Sequence, residues 1–135
     1  MKATGSLFLG LLSMMGCSIG KPPADEVAAI EAATAKDACV GPLGRWHRVF
    51  SYQARGERVD RNIISVSYIE AGHRGRPAGR VITEPNWKMV MDDAQFRYAL
   101  GEYDRKAHRF VEWSCGCNFQ SEDVEGQIEC PPHGA

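Results

Sequence analysis

The sequence predicts an α+β domain: one N-terminal helix packed on a curled antiparallel sheet of five or six strands and stapled by disulfides. Three observations carry that expectation. An alanine-rich stretch with helical spacing ends at Gly41-Pro42. After Gly44 the chain breaks into short alternating apolar runs separated by turn residues. The five cysteines divide as one early residue plus four, an even number suited to two bridges in a small exported domain.

The helix is expected over Asp25 to Val40. Asp25 is a candidate N-cap and Glu26 lies in the first turn, where the helix dipole favours acid. Val27, Ile30, Thr34 and Ala38 recur on one face, and Gly41-Pro42 prevents continuation. The first strand is expected over Arg45 to Gln53, with Trp46, Phe50 and Tyr52 on one face and Arg48 interrupting it. Ile64, Val66 and Tyr68 alternate in the next run, with Ile63 and Ile69 on the opposite face. Trp87, Met89 and Met91 alternate in a third, and Phe96, Tyr98 and Leu100 follow the Asp92-Asp93 turn. In the last long run Val111, Trp113, Cys115 and Cys117 share a face. Turns are expected at Arg55-Gly56, Ala71 to Gly79, Asp92-Asp93 and Asp104-Arg105-Lys106. Short connections make neighbours pair in sequence order. In outline the helix and curled sheet resemble the cystatin and nuclear-transport-factor-like arrangements, a likeness of fold that carries no function. The inhibitory hairpin of cystatins has no counterpart, since Tyr52-Gln53-Ala54-Arg55-Gly56 is at best a poor relic of it.

The start of the chain is an address. Met1-Lys2 supplies a positive charge, Leu7 to Met15 an apolar run, and Gly16-Cys17-Ser18 a small residue before a cysteine. The run is about half the length of a bilayer span. This arrangement resembles the lipobox of bacterial lipoproteins, departing from it at Met14 and Met15. The resemblance implies a signal peptide over 1–16 and a Cys17 that is acylated, with palmitate among its lipids. By the same resemblance, Ser18 after the cysteine implies the outer membrane, facing the periplasm. A rival cut after Gly20, with Ser18 at minus three, would release a soluble protein. Residues 17–23 then form the lipidated cysteine and tether, and 24–135 a single domain.

Seventeen acidic residues against sixteen basic ones leave the chain near neutral, which argues against general nucleic-acid binding. With Cys17 set aside, Cys39, Cys115, Cys117 and Cys130 remain. Cys115 and Cys117 are separated by one glycine, and a bridge between them would be strained. Cys39 is therefore expected to pair with one of them and Cys130 with the other. In the loop-entropy picture a Cys39–Cys115 bridge contributes about 4.5 kcal/mol and a Cys117–Cys130 bridge about 3 kcal/mol.

Four groups of residues suggest chemistry, each with a plainer reading beside it. Cys115, Cys117, Cys130 and His133 offer a Cys₃His set for zinc or copper(I), but parity and compartment favour disulfides. Ala71 to Arg80 is a glycine-rich basic loop whose His73, Arg74, Arg76 and Arg80 suit an anion or an acidic partner; a solvated hairpin tip is the plainer reading. His47, Glu70, His108 and Glu112 are the acid–base candidates, although nothing in the sequence brings them together. Trp46, Trp87 and Trp113 suit a ligand cleft or, more simply, the core. The expectation is a non-catalytic, lipid-anchored envelope protein without a cofactor, binding a partner or ligand. Metal trafficking is the second reading and a small envelope enzyme the third.

Overall fold

The computed structural model describes residues 20–85 and 96–118. Helix α1 spans Ala24–Thr34. The strands are β1 Trp46–Arg55, β2 Arg58–Glu70, β3 Gly79–Ile82, β4 Phe96–Asp104 and β5 Arg109–Asn118. They form one five-stranded sheet in the order β3-β1-β2-β4-β5. The run around Trp87, Met89 and Met91, the Asp92-Asp93 turn, and Cys17, Cys130 and His133 lie outside the described residues.

The sheet is mixed, which corrects the expectation of an antiparallel one. β1–β2, β2–β4 and β4–β5 are antiparallel, but β3 runs parallel to β1, with Arg48 beside Arg80 and Phe50 beside Ile82. The reason is the path of the chain. β2 ends next to the start of β1, and the loop after Glu70 swings round to the free edge of β1, where β3 starts in the same direction. Gly72 at φ 89° and Gly75 at φ 72° make that reversal with left-handed backbone, and Arg74 joins them at φ 50°. The segment expected to be only a loop therefore ends as an edge strand.

The helix is shorter than expected and is not at the start of the chain. Pro23 is the N-cap, so Asp25 and Glu26 both fall inside the first turn. It stops at Thr34, whose hydroxyl donates back to the Glu31 carbonyl at 3.1 Å. The chain continues as tight turns in which Asp37 Oδ1 accepts the Cys39 N–H at 2.9 Å, and Gly41 takes φ 63° before Pro42. These turns replace the last six residues of the expected helix.

The core lies between α1 and one face of the sheet. Val27 and Ile30 meet Trp46, Phe50 and Tyr52 of β1, Ile64, Val66 and Tyr68 of β2, and Ala99 of β4, with Val40 closing one end. Each fully buried side chain of this size contributes about 1.5–3 kcal/mol. Tyr68 stands at the centre, edge-on to Phe50 and Trp113 with both ring centroids at 5.9 Å. In β5 the face expected for Val111 belongs to Phe110. A bulge opposite Glu102 and Tyr103 inserts one residue, so Phe110 and Trp113 both turn inward and Val111 is 53% exposed.

Cys39 and Cys115 form a disulfide with Cα atoms 6.2 Å apart, joining the turn after α1 to β5. Trp113 Nε1 donates to Asp37 Oδ2 at 3.0 Å and Trp46 Nε1 to the Val40 carbonyl at 2.8 Å. One cross-link and two indoles thus fix the α1–β1 connection on the sheet. Cys117 is also disulfide-bonded.

Candidate functional site

The most elaborate polar arrangement sits under the helix, where hydrophobic patterning would place only apolar side chains. Glu31 follows Val27 by four residues and therefore projects toward the sheet; it is 4% exposed. Arg48, on the inward face of β1, donates from Nε to Glu31 Oε1 at 2.7 Å and from Nη1 to the Leu43 carbonyl at 2.7 Å. Arg80, its register partner on β3, donates from Nε to Glu31 Oε2 at 3.0 Å. Beside them the hydroxyls of Thr34 and Tyr68 hydrogen-bond at 2.7 Å. Burial pushes the Glu31 carboxyl up, but hydrogen bonds from Arg80 and Arg48 outweigh it and hold the group below its usual value. Burial raises the Tyr68 phenol to about 12, opposed by the Thr34 hydrogen bond and reinforced by the Glu31 charge. The cluster has the chemistry of a clasp. Both carboxylate oxygens are engaged from different strands, so it sets how the helix and the edge strand sit on the sheet.

The Ala71–Arg80 loop is divided by this arrangement. Arg80 is turned back to Glu31, with its side chain 37% exposed. His73, Arg74 and Arg76 lie in or next to a single 3₁₀ turn, His73–Gly75. Within it the Gly72 N–H donates to the Arg76 carbonyl at 2.7 Å and the Arg76 N–H to the His73 carbonyl at 3.1 Å. His47 Nδ1 hydrogen-bonds the Pro77 carbonyl at 2.9 Å, which fastens the loop to β1. Arg74 projects from the exposed tip.

The acid–base candidates are not brought together. His47 pairs with Ile69 and Trp46 with Glu70, so His47 and Glu70 are one register step apart and on opposite faces. Glu112 lies in the row of Glu102, Ser65 and Ser51, which is four residues, or about 13 Å, along β1 from His47. His108 is in the β4–β5 turn at φ 52°. Trp46 and Trp113 belong to the core and its rim, and Trp87 lies outside the described residues. Among the described residues, Asp37, Cys39 and Cys115 form a group with metal-ligand atoms within 4.8 Å of one another. Both of its sulfurs are consumed by the Cys39–Cys115 bridge, Cys117 is disulfide-bonded as well, and a bridged sulfur is not a thiolate ligand.

At the other end of the sheet an open cleft of about 470 Å³ is lined by Glu26, Arg61, Asn62, Arg105 and Lys106. Arg105 grips Glu26 with two hydrogen bonds, 2.7 and 2.6 Å, and lies over the Tyr52 ring at 5.5 Å. Arg105 thereby holds the Glu26 carboxyl below its usual value. Gly20 approaches the fold here. A methyl group placed on Gly20 would lie 3.9 Å from the Tyr52 ring and 4.0 Å from the Arg61 guanidinium.

Comparison with protein-family models, with curated proteins and with solved structures finds no match to this chain. Sequence reasoning missed Glu31, although its helical spacing from Val27 carried the signal, and it missed the cleft, whose cations come from strand β2 and from the turn after β4.

Proposed function

We propose that this is a lipid-anchored, non-catalytic envelope protein. It is held to the membrane through Cys17 and binds a partner or ligand with the loop from Ala71 to Arg80. The relation between the two ends of the sheet carries this reading. Gly20 meets the fold beside Tyr52 and Arg61, whereas the loop starts beyond Glu70, the register partner of Trp46. From Tyr52 to Trp46 is six residues along β1, or about 20 Å. A chain anchored at residue 17 would therefore hold the loop on the side away from the bilayer, where a partner reaches it. The Cys39–Cys115 disulfide supports the same compartment, since such bridges persist outside the reducing cytosol.

The anchor is tested by fractionating cells of a lipoprotein-processing bacterium that express the full chain. The protein is expected with the membranes, and Cys17→Ala is expected to remove it from them. Equal partition of the two forms would sink the anchor. The loop is tested by reversing Arg74 and Arg76 to glutamate: capture of an envelope partner should weaken while the melting temperature holds. Undiminished capture by that variant would exclude the loop.

A further inference from the structure

We infer that the cleft formed by Arg61, Arg105 and Lys106 beside Gly20 is a membrane-facing surface that receives the phosphates of anionic lipid headgroups. This rests on the anchor reading above. Gly20 is three residue steps from Cys17, and three extended steps reach at most about 10 Å. A lipid on Cys17 would therefore hold whatever surrounds Gly20 against the headgroup layer. That neighbourhood is basic where it opens to solvent. The lining holds three cations against one carboxylate; Glu26 and Arg105 engage each other, and Arg105 Nη1 also donates to the Arg61 carbonyl, so the net positive charge rests on Arg61 and Lys106. Lys21, exposed and next to Gly20, adds a fourth positive charge at the rim. Two further acids flank the site, each with one oxygen engaged in local hydrogen bonds. Asp60 Oδ1 accepts the Asn62 N–H at 2.9 Å, and Asp104 Oδ1 accepts Asn62 Nδ2 at 3.0 Å and the Ala107 N–H at 2.9 Å. The cleft is open rather than enclosed, which suits a sheet of headgroups. Each Lys or Arg near an anionic surface is worth about fivefold in partition at low salt, and the attraction is screened as salt rises.

The test uses the mature chain from position 17 with Cys17→Ser, so that no acyl chain contributes. It is sedimented with vesicles of phosphatidylcholine alone or with one-third phosphatidylglycerol. Binding is expected only to the anionic vesicles, to fall with salt, and to drop at least about tenfold in R61E/K106E. The far-end variant R74E/R76E should bind like the parent. If R61E/K106E folds poorly, the exposed pair Lys21→Gln and Lys106→Gln serves instead, with a smaller loss in the same direction. Equal binding to neutral vesicles, or equal losses from both ends, would overturn the inference. The mass of the native mature protein separates this from the anchor. Acylated Cys17 without any phosphatidylglycerol dependence overturns the cleft alone. Phosphatidylglycerol dependence without acyl mass supports the cleft and removes the anchor.

Discussion

Arg48 and Glu31 meet at 2.7 Å between the helix and the sheet, with their side chains only 12% and 6% exposed. Two charges in such a place are costly to desolvate and are tolerated because each finds hydrogen-bond partners. Arg48→Ala would leave Glu31 buried with Arg80 alone, and stability should fall by about 3–5 kcal/mol. Replacing both by apolar residues of similar volume, Arg48→Met with Glu31→Leu, should cost clearly less, because no charge is stranded. Urea unfolding of the single and double variants checks this. Additive losses would contradict the pairing.

The same pair sets the acid limit of the fold. The Glu31 pKa is depressed on folding, so its contribution is present above the unfolded value of about 4.3 and is lost as pH falls through the lower folded value. Glu31→Gln is expected to be less stable at neutral pH but to show a flatter stability profile below about pH 4. Thermal melts across that range give the comparison, and parallel profiles would count against it.

Tyr68 makes the alkaline limb. Its pKa is raised to about 12, so the phenol's contribution is whole below the unfolded value near 10 and is lost as pH climbs toward 12. The loss amounts to about 2–3 kcal/mol. Tyr68→Phe, which keeps the ring contacts and drops the hydroxyl, should abolish this limb. Phenol absorbance measured alongside the melts would show whether ionisation and loss of stability coincide.

Removing the Cys39–Cys115 bridge by paired serine substitution should cost on the order of 4 kcal/mol, because the bridge closes a loop across 76 residues of sequence separation. Calorimetry under non-reducing conditions measures it. An unchanged melting temperature would mean that the indoles of Trp46 and Trp113 hold the α1–β1 connection unaided.

Gly101 permits the close approach of β4 and β5 at the bulge. A Cβ there would come within 2.5 Å of the Glu112 carbonyl oxygen and 2.5 Å of Trp113 Cε3. One of these contacts is backbone, which cannot step aside. Gly101→Ala is expected to lose about 1–3 kcal/mol, as overpacked sites do. A variant as stable as the parent would show that the two strands can separate locally.

What was legible in the sequence follows from the physics of each element. Strands β1, β2, β4 and β5 announce themselves because their apolar residues alternate beside one buried face. The Cys39–Cys115 bridge was among the pairings that cysteine parity and the single glycine between Cys115 and Cys117 left open. β3 was hidden because its four residues sit behind a glycine- and arginine-rich loop, and an edge strand has only one neighbour to pattern it. The bulge at Val111 was invisible because the sequence gives no sign of where the alternation slips. Arg48 looked like an interruption of an apolar face. Its reason is Glu31, a contact across 17 residues that no local pattern encodes. The basic cleft was equally hidden, since Arg61 of β2 and Arg105 of the β4–β5 turn are brought side by side only by the β2–β4 pairing.

The measurement that bears most directly on the central claim is the intact mass of the mature protein, alkylated under denaturing, non-reducing conditions. A lipid-anchored, disulfide-stapled domain predicts a species beginning at Cys17 that carries acyl mass and no alkyl group. A species without acyl mass, with three or four alkylated thiols, would contradict both the anchor and the cross-links.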